Sequence, residues 1–176
     1  MSAEACVSDN KQNNMSSLND LAAFSPESQV WIFTADRKMN QEEAEKISSK
    51  LKVFSKSWIS HDNKLKSEAF ILHDIFIILV VDNTESIASG CSIDTAMRFI
   101  QTLQIDFDID FLDRQSFVYI DDYNQVKLVR KGELAEKTVK GEINDNTLFY
   151  DTLVSDLKSF QTDLIKPRGS FWMKNM

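Results

Sequence analysis

Glycine is scarce in this chain, with four in 176 residues, and proline and cysteine occur twice each. The glycines, Gly90, Gly132, Gly141 and Gly169, stand too far apart for a GxGxxG or GxSxG loop. No GxxxxGKS or GxxxxGKT segment exists to cradle a nucleoside triphosphate. Two cysteines cannot build a disulfide framework, and no CxxC, HExxH or paired Cys/His set offers metal ligands. The expectation is therefore no metal and no cofactor. Basic residues are also short: 20 Lys and Arg against 27 Asp and Glu leave a net charge of −7. That is the reverse of what a phosphate backbone attracts, so no nucleic-acid partner is expected. No apolar run reaches the ~18 residues of a membrane span. The first residues carry neither the basic region nor the apolar stretch of a secretion signal, which points to a cytoplasmic location.

What is present divides the chain in two. Residues 1–28 are rich in Ser and Asn, without sustained hydrophobic periodicity, and read as a flexible tail holding Cys6. One helical turn through Leu18, Leu21, Ala22 and Phe24, ended by Pro26, is conceivable within it. Residues 29–176 read as a single α+β domain. Val30-Trp31-Ile32-Phe33-Thr34 has the β-branched and aromatic character of a strand. Asn40 and Glu43 have capping-box spacing, and Ala44, Ile47, Leu51, Phe54 and Trp58 recur every three or four residues, predicting a helix. Residues 68–72 and 75–81 read as a hairpin turning at His73-Asp74. The second of these strands is apolar at all seven positions, so both of its faces should be covered. Ile93, Ala96, Met97, Ile100 and Leu103 mark a second helix, capped by Ser89 or Ser92.

The segment Ile105-Asp106-Phe107-Asp108-Ile109-Asp110-Phe111 alternates strictly and reads as extended, with three carboxylates on a solvated edge. It is no calcium loop, because Phe111 and Phe117 stand where glycine and glutamate belong. Strands over residues 116–120 and 125–130, a helix over 131–140 and a C-terminal helix through Leu153, Leu157, Phe160 and Leu164 complete the pattern. The order from Val30 to Ile120 is β-α-β-β-α-β, which predicts a ferredoxin-like sandwich with an extra strand and C-terminal helices. The C-terminal helices or a second copy of the chain must then cover the open face of the sheet, so a homodimer is one expectation.

The richest local stretch is Ser89-Gly90-Cys91-Ser92-Ile93-Asp94. Free amides at a helix start favour an anion, and Gly90 would let a ligand approach the backbone. The same location can activate the Cys91 thiol, with His61 as its base if the loops after the first helix and before the second share one end of the sheet. Equally, Cys91 can be a buried packing residue. Trp31, Trp58 and Trp172 are too dispersed for a base-stacking platform.

Val30-Trp31-Ile32-Phe33, Asp36-Arg37, Trp58 with His61, Leu65, Phe76–Asp82 and above all Gly90-Cys91-Ser92-Ile93-Asp94 resemble a family of small bacterial proteins. The likeness continues through Asp113-Arg114, Gly141-Glu142-Ile143, Pro167 and Ser170-Phe171-Trp172, so it spans roughly residues 30–172. Members are often labelled "ABC transporter ATPase". This sequence lacks both a Walker A loop and an LSGGQ-type signature, so ATPase activity is disfavoured. The leading expectation is a non-enzymatic module that binds an anionic ligand or a protein through Ser89, Gly90, Ser92 and Asp94. The alternative is a thiol enzyme using Cys91 and His61.

Overall fold

The computed structural model describes residues 20–175, with the side chain of Asn175 outside that description. The expected flexible tail lies outside it up to residue 19, as does Cys6. Core packing begins before Gln29: a single 3-10 turn, Leu21–Ala23, buries Leu21 to 1% exposure.

The fold is α+β. Strand β1 (Gln29–Thr34) leads to helix α1 (Gln41–Ser57). The capping box is present: the Glu43 amide donates to Asn40 Oδ1 and the Asn40 amide to a Glu43 oxygen, both at 2.9 Å. After α1 come the two-residue strands β2 (Ile59–Ser60) and β3 (Asn63–Lys64). Strands β4 (Lys66–Leu72) and β5 (Phe76–Asp82) form the expected hairpin. His73 and Asp74 turn it with left-handed φ angles of 57° and 56°. Helix α2 (Gly90–Phe107) follows, then β6 (Ser116–Ile120), β7 (Val126–Arg130), α3 (Lys131–Val139), β8 (Leu148–Tyr150), α4 (Leu157–Thr162) and β9 (Ile165–Pro167).

Two larger antiparallel sheets result, ordered β1-β5-β4 and β7-β6-β8-β9, beside the small antiparallel β2-β3 pair. All seven residues of β5 are buried, and their alternation splits them between two cores. Ile77, Leu79 and Val81 pack against Ile47 and Leu51 of α1 and Ile100 and Leu103 of α2. Phe76, Ile78 and Val80 pack with Val118 of β6, Tyr150 of β8 and Leu157 and Phe160 of α4. The second face of the first sheet is therefore covered by this chain's own second sheet. The burial argument for a homodimer loses its ground.

The same topology corrects the ferredoxin-like expectation. Three strands take the places that fold gives them, but β6, which should add beside β1, belongs to the other sheet. On the edge of β1 away from β5, the described residues make just an isolated bridge between Gln29 and Asp156. The cause lies in the alternating segment, which is not a strand. Helix α2 runs on to Phe107 because Ile100, Leu103 and Phe107 continue its inward face, while Ile105 is 83% exposed. Asp108 ends it in the left-handed conformation. Gln104 Oε1 then accepts the amides of Phe111 and Leu112 at 3.0 and 3.1 Å, folding residues 108–112 back on the helix end. Arg37 grips Glu43 with two 2.9 Å bonds and donates to the Phe107 and Asp108 carbonyls, tying the two helices together. Asp106 pairs with Lys50 of α1, so it is no part of an open edge. The C-terminal helix is also shorter than its periodicity predicts: Leu153 and Leu164 lie outside α4, and Pro167 pairs with Leu148 in the second sheet.

Candidate functional site

The start of α2 was the sequence's first candidate, and its polar groups are engaged with one another. Ser89 caps the helix, its Oγ accepting the Ser92 amide at 3.2 Å, and the Ser92 hydroxyl returns to the Ser89 carbonyl at 2.8 Å. Trp58 Nε1 donates to the Ser92 carbonyl at 2.8 Å, and Ser92 itself is buried. Asp94 pairs with Arg98 one turn on, at 2.6 Å. A Cβ on Gly90 would meet nothing within 4 Å, so no close approach requires glycine there. Cys91 is exposed, which removes the reading of it as a packing residue. His61 is exposed at the left-handed turn between β2 and β3. The Ser89 amide donates to Ser60 Oγ at 3.2 Å, so this hairpin does sit against the helix start. No hydrogen bond joins His61 and Cys91 among the described residues. Nor is there among them a group of three or more acidic, histidine or cysteine side chains able to hold a metal ion.

A different site forms where the two sheets part. Along β1, Val30 and Ile32 alternate towards the second sheet, which puts Thr34 on the same face at the strand's end. Along β6, Val118 and Ile120 point at the first sheet, so Ser116 at the strand's start does too. Apolar packing fills the gap between Ile32 and Val118 but stops short of Thr34 and Ser116. There a cleft of about 550 Å³ opens, within the range of small-molecule pockets. Its walls come from five separate parts of the chain: the end of β1, residues 111–114, the start of β6, Thr152 with Leu153 after β8, and Trp172.

Each wall is fixed by identifiable bonds. Phe111 is buried as an anchor, and its amide is held by Gln104. Asp113 Oδ1 accepts the Gln115 amide at 2.8 Å, an Asx turn that leaves Arg114 exposed at the rim. Trp172 leans on Phe117 with ring centroids 5.9 Å apart, and its indole N–H donates to Asp151 Oδ1 at 3.0 Å. Asp151 is buried, which opposes its charge. The Lys166 ammonium at 2.8 Å, the Trp172 indole and the Leu153 amide outweigh that and hold its carboxyl below the usual range. One buried carboxylate thus positions both Trp172 and Leu153.

The cleft's hydrogen-bonding capacity is unspent. Ser116 is 6% exposed and its Oγ has no partner. The hydroxyls of Thr34 and Thr152 and the guanidinium of Arg114 have no partner among the described residues either. Of the four only the Ser116 hydroxyl is shut off from solvent, and native proteins pair the large majority of such buried groups, so it is the unusual one. Local motif reading could not find the cleft, since no two of the four lie within one element. The usable signal was polar residues, Thr34 and Ser116, at strand positions whose parity faces the core. No family model matches the chain, and no curated protein or solved structure is significantly similar to it.

Proposed function

We propose that the protein is a non-enzymatic small-molecule-binding module whose site is the cleft between its two sheets. The observation that carries this reading is the buried, unpartnered Ser116 hydroxyl at a cleft that already has aromatic walls. A ligand that bonds Ser116, Thr34 or Thr152 would recover hydrogen bonds the folded chain leaves unmade, each worth about 0.5–1.5 kcal/mol net. Binding without turnover is favoured because the lining holds no histidine, cysteine or lysine. Its one carboxylate, Asp113, is engaged with the Gln115 amide. The start of α2 is a weaker candidate, since its serines satisfy each other and Asp94 has Arg98.

A small-fragment library screened by saturation-transfer NMR tests this. Fragments should bind the wild type and be lost from Thr152→Trp, which fills the mouth of the cleft. Ser116→Ala should weaken them while leaving thermal stability unchanged or raised, because no existing bond is removed. Hits that survive Thr152→Trp, or a folded wild type that binds nothing, would refute the proposal.

A further inference from the structure

Resting on that binding reading, we infer that the cleft selects singly charged organic carboxylates, with the flat apolar part against Trp172, Phe117 and Leu153 and the carboxylate at Arg114. The walls supply both halves of such a ligand. Phe117 and Trp172 form a tilted aromatic pair, Leu153 is 69% exposed beside them, and Ile32 and Phe33 line the side contributed by β1. An aromatic or extended aliphatic body would cover this surface and gain by leaving water.

The charge preference follows from what is committed and what is free. Arg114 has a guanidinium whose planar fork of donors matches a carboxylate, and none of its donors is used by the described residues. Asp113, the neighbouring charge of opposite sign, already spends one oxygen on the Gln115 amide. A cation would therefore meet a free guanidinium and a half-used carboxylate, the worse arrangement for it. An anion meets the same two groups with the signs reversed, so the uncommitted one attracts it. The apolar walls limit the anion's charge: doubling it scales the attraction to Arg114 and the repulsion from Asp113 alike, while the cost of leaving water rises more steeply. The hydroxyls of Thr34, Ser116 and Thr152 can each donate or accept, so they suit a second oxygen or a polar substituent of the same ligand.

Isothermal titration with 1-naphthylacetate, 1-naphthylacetamide and 1-naphthyl phosphate separates the terms, since the first two share a shape and differ in charge. The carboxylate should bind about tenfold more tightly than the amide, the scale of one charge-assisted bidentate contact. Arg114→Gln should abolish that difference without weakening the amide. Asp113→Asn keeps an acceptor for the Gln115 amide and should tighten the carboxylate about two- to threefold. A thermal unfolding curve for each variant establishes that it is folded. Equal affinity for acid and amide, or tighter binding of the phosphate, overturns the carboxylate inference and leaves the cleft a binding site. No binding of any probe, together with no fragment hit in the wild type, overturns both.

Discussion

Replacing Asp82 by alanine removes the buried carboxylate that accepts the most hydrogen bonds among the described residues. Its carboxylate ends β5 with 2% of its side chain exposed, and it accepts four bonds. The donors are Lys66 Nζ at 2.8 Å, the Thr84 hydroxyl at 2.7 Å, and the amides of Ser25 and Thr84, both at 3.1 Å. Lys66 also donates to the Ala23 carbonyl and lies over the Phe24 ring, so the cluster fastens residues 23–25 to both strands of the hairpin. Breaking a buried pair from one side costs about 3–5 kcal/mol. Lys66 is 35% exposed and water relieves part of its stranded charge, which sets the cost near the lower end, about 3 kcal/mol. For a domain of this size that corresponds to a fall in Tm of about 6–12 °C. Urea unfolding should show the loss as a shift of midpoint at constant slope.

The pH dependence gives a second reading of the same group. Burial alone would raise the Asp82 carboxyl, but Lys66, Thr84 and the Ser25 amide prevail and hold it well below the usual range. On unfolding it returns to about 3.9. Its contribution is therefore complete above about pH 5 and drains away as pH falls through 4 and below. The difference in stability between wild type and Asp82→Asn should shrink over that interval. A variant within about 0.5 kcal/mol of wild type at pH 7, or a difference that does not change with pH, would refute this reasoning.

Three further outcomes follow from single residues. His73 is held below its ordinary pKa by burial, and its Nε2 lies 2.8 Å from the Tyr150 hydroxyl, which burial pushes up to about 12. Protonation therefore favours the unfolded chain, so the wild type should lose stability as pH falls from about 6.5 to 5. His73→Asn, which tolerates the left-handed backbone, should lose none over that range; equal slopes would contradict this. Gln104→Ala should cost about 1–2 kcal/mol and abolish hydrogen-exchange protection at the Phe111 amide, whereas persistent protection would show that residues 108–112 hold their shape unaided. Finally, in a Cys6→Ser background iodoacetamide should label Cys91 in the native protein, at a rate His61→Ala leaves unchanged within about twofold. Labelling that needs unfolding, or that slows on losing His61, would disprove the exposed, unassisted thiol.

The parts of the fold that a local rule decides were legible in the sequence. Asn40 and Glu43 make their capping box because three residues suffice to build one. Residues 75–81 betrayed a strand covered on both faces because seven apolar positions leave no wet side. The same run could not say what covered it, since Val118, Tyr150 and Leu157 come from distant segments. Residues 105–111 misled because their alternation coexists with the helical spacing of Ile100, Leu103 and Phe107. Gln104 and Arg37, whose bonds decide between the two, carry no periodic signal. The helix start at Ser89 was legible as a cap, and its hydroxyls prove to serve that cap. The cleft was illegible for a plainer reason: Thr34, Arg114, Ser116, Thr152 and Trp172 meet only once the two sheets part.

The most direct test of the account is an amide chemical-shift map of the 15N-labelled protein titrated with 1-naphthylacetate. The account predicts perturbations at Thr34, at residues 114–117, at Thr152 and Leu153 and at the Trp172 indole N–H, with residues 89–94 unmoved. Shifts centred on Ser89, Gly90 and Cys91 with the cleft silent, or no shifts at all, would contradict it.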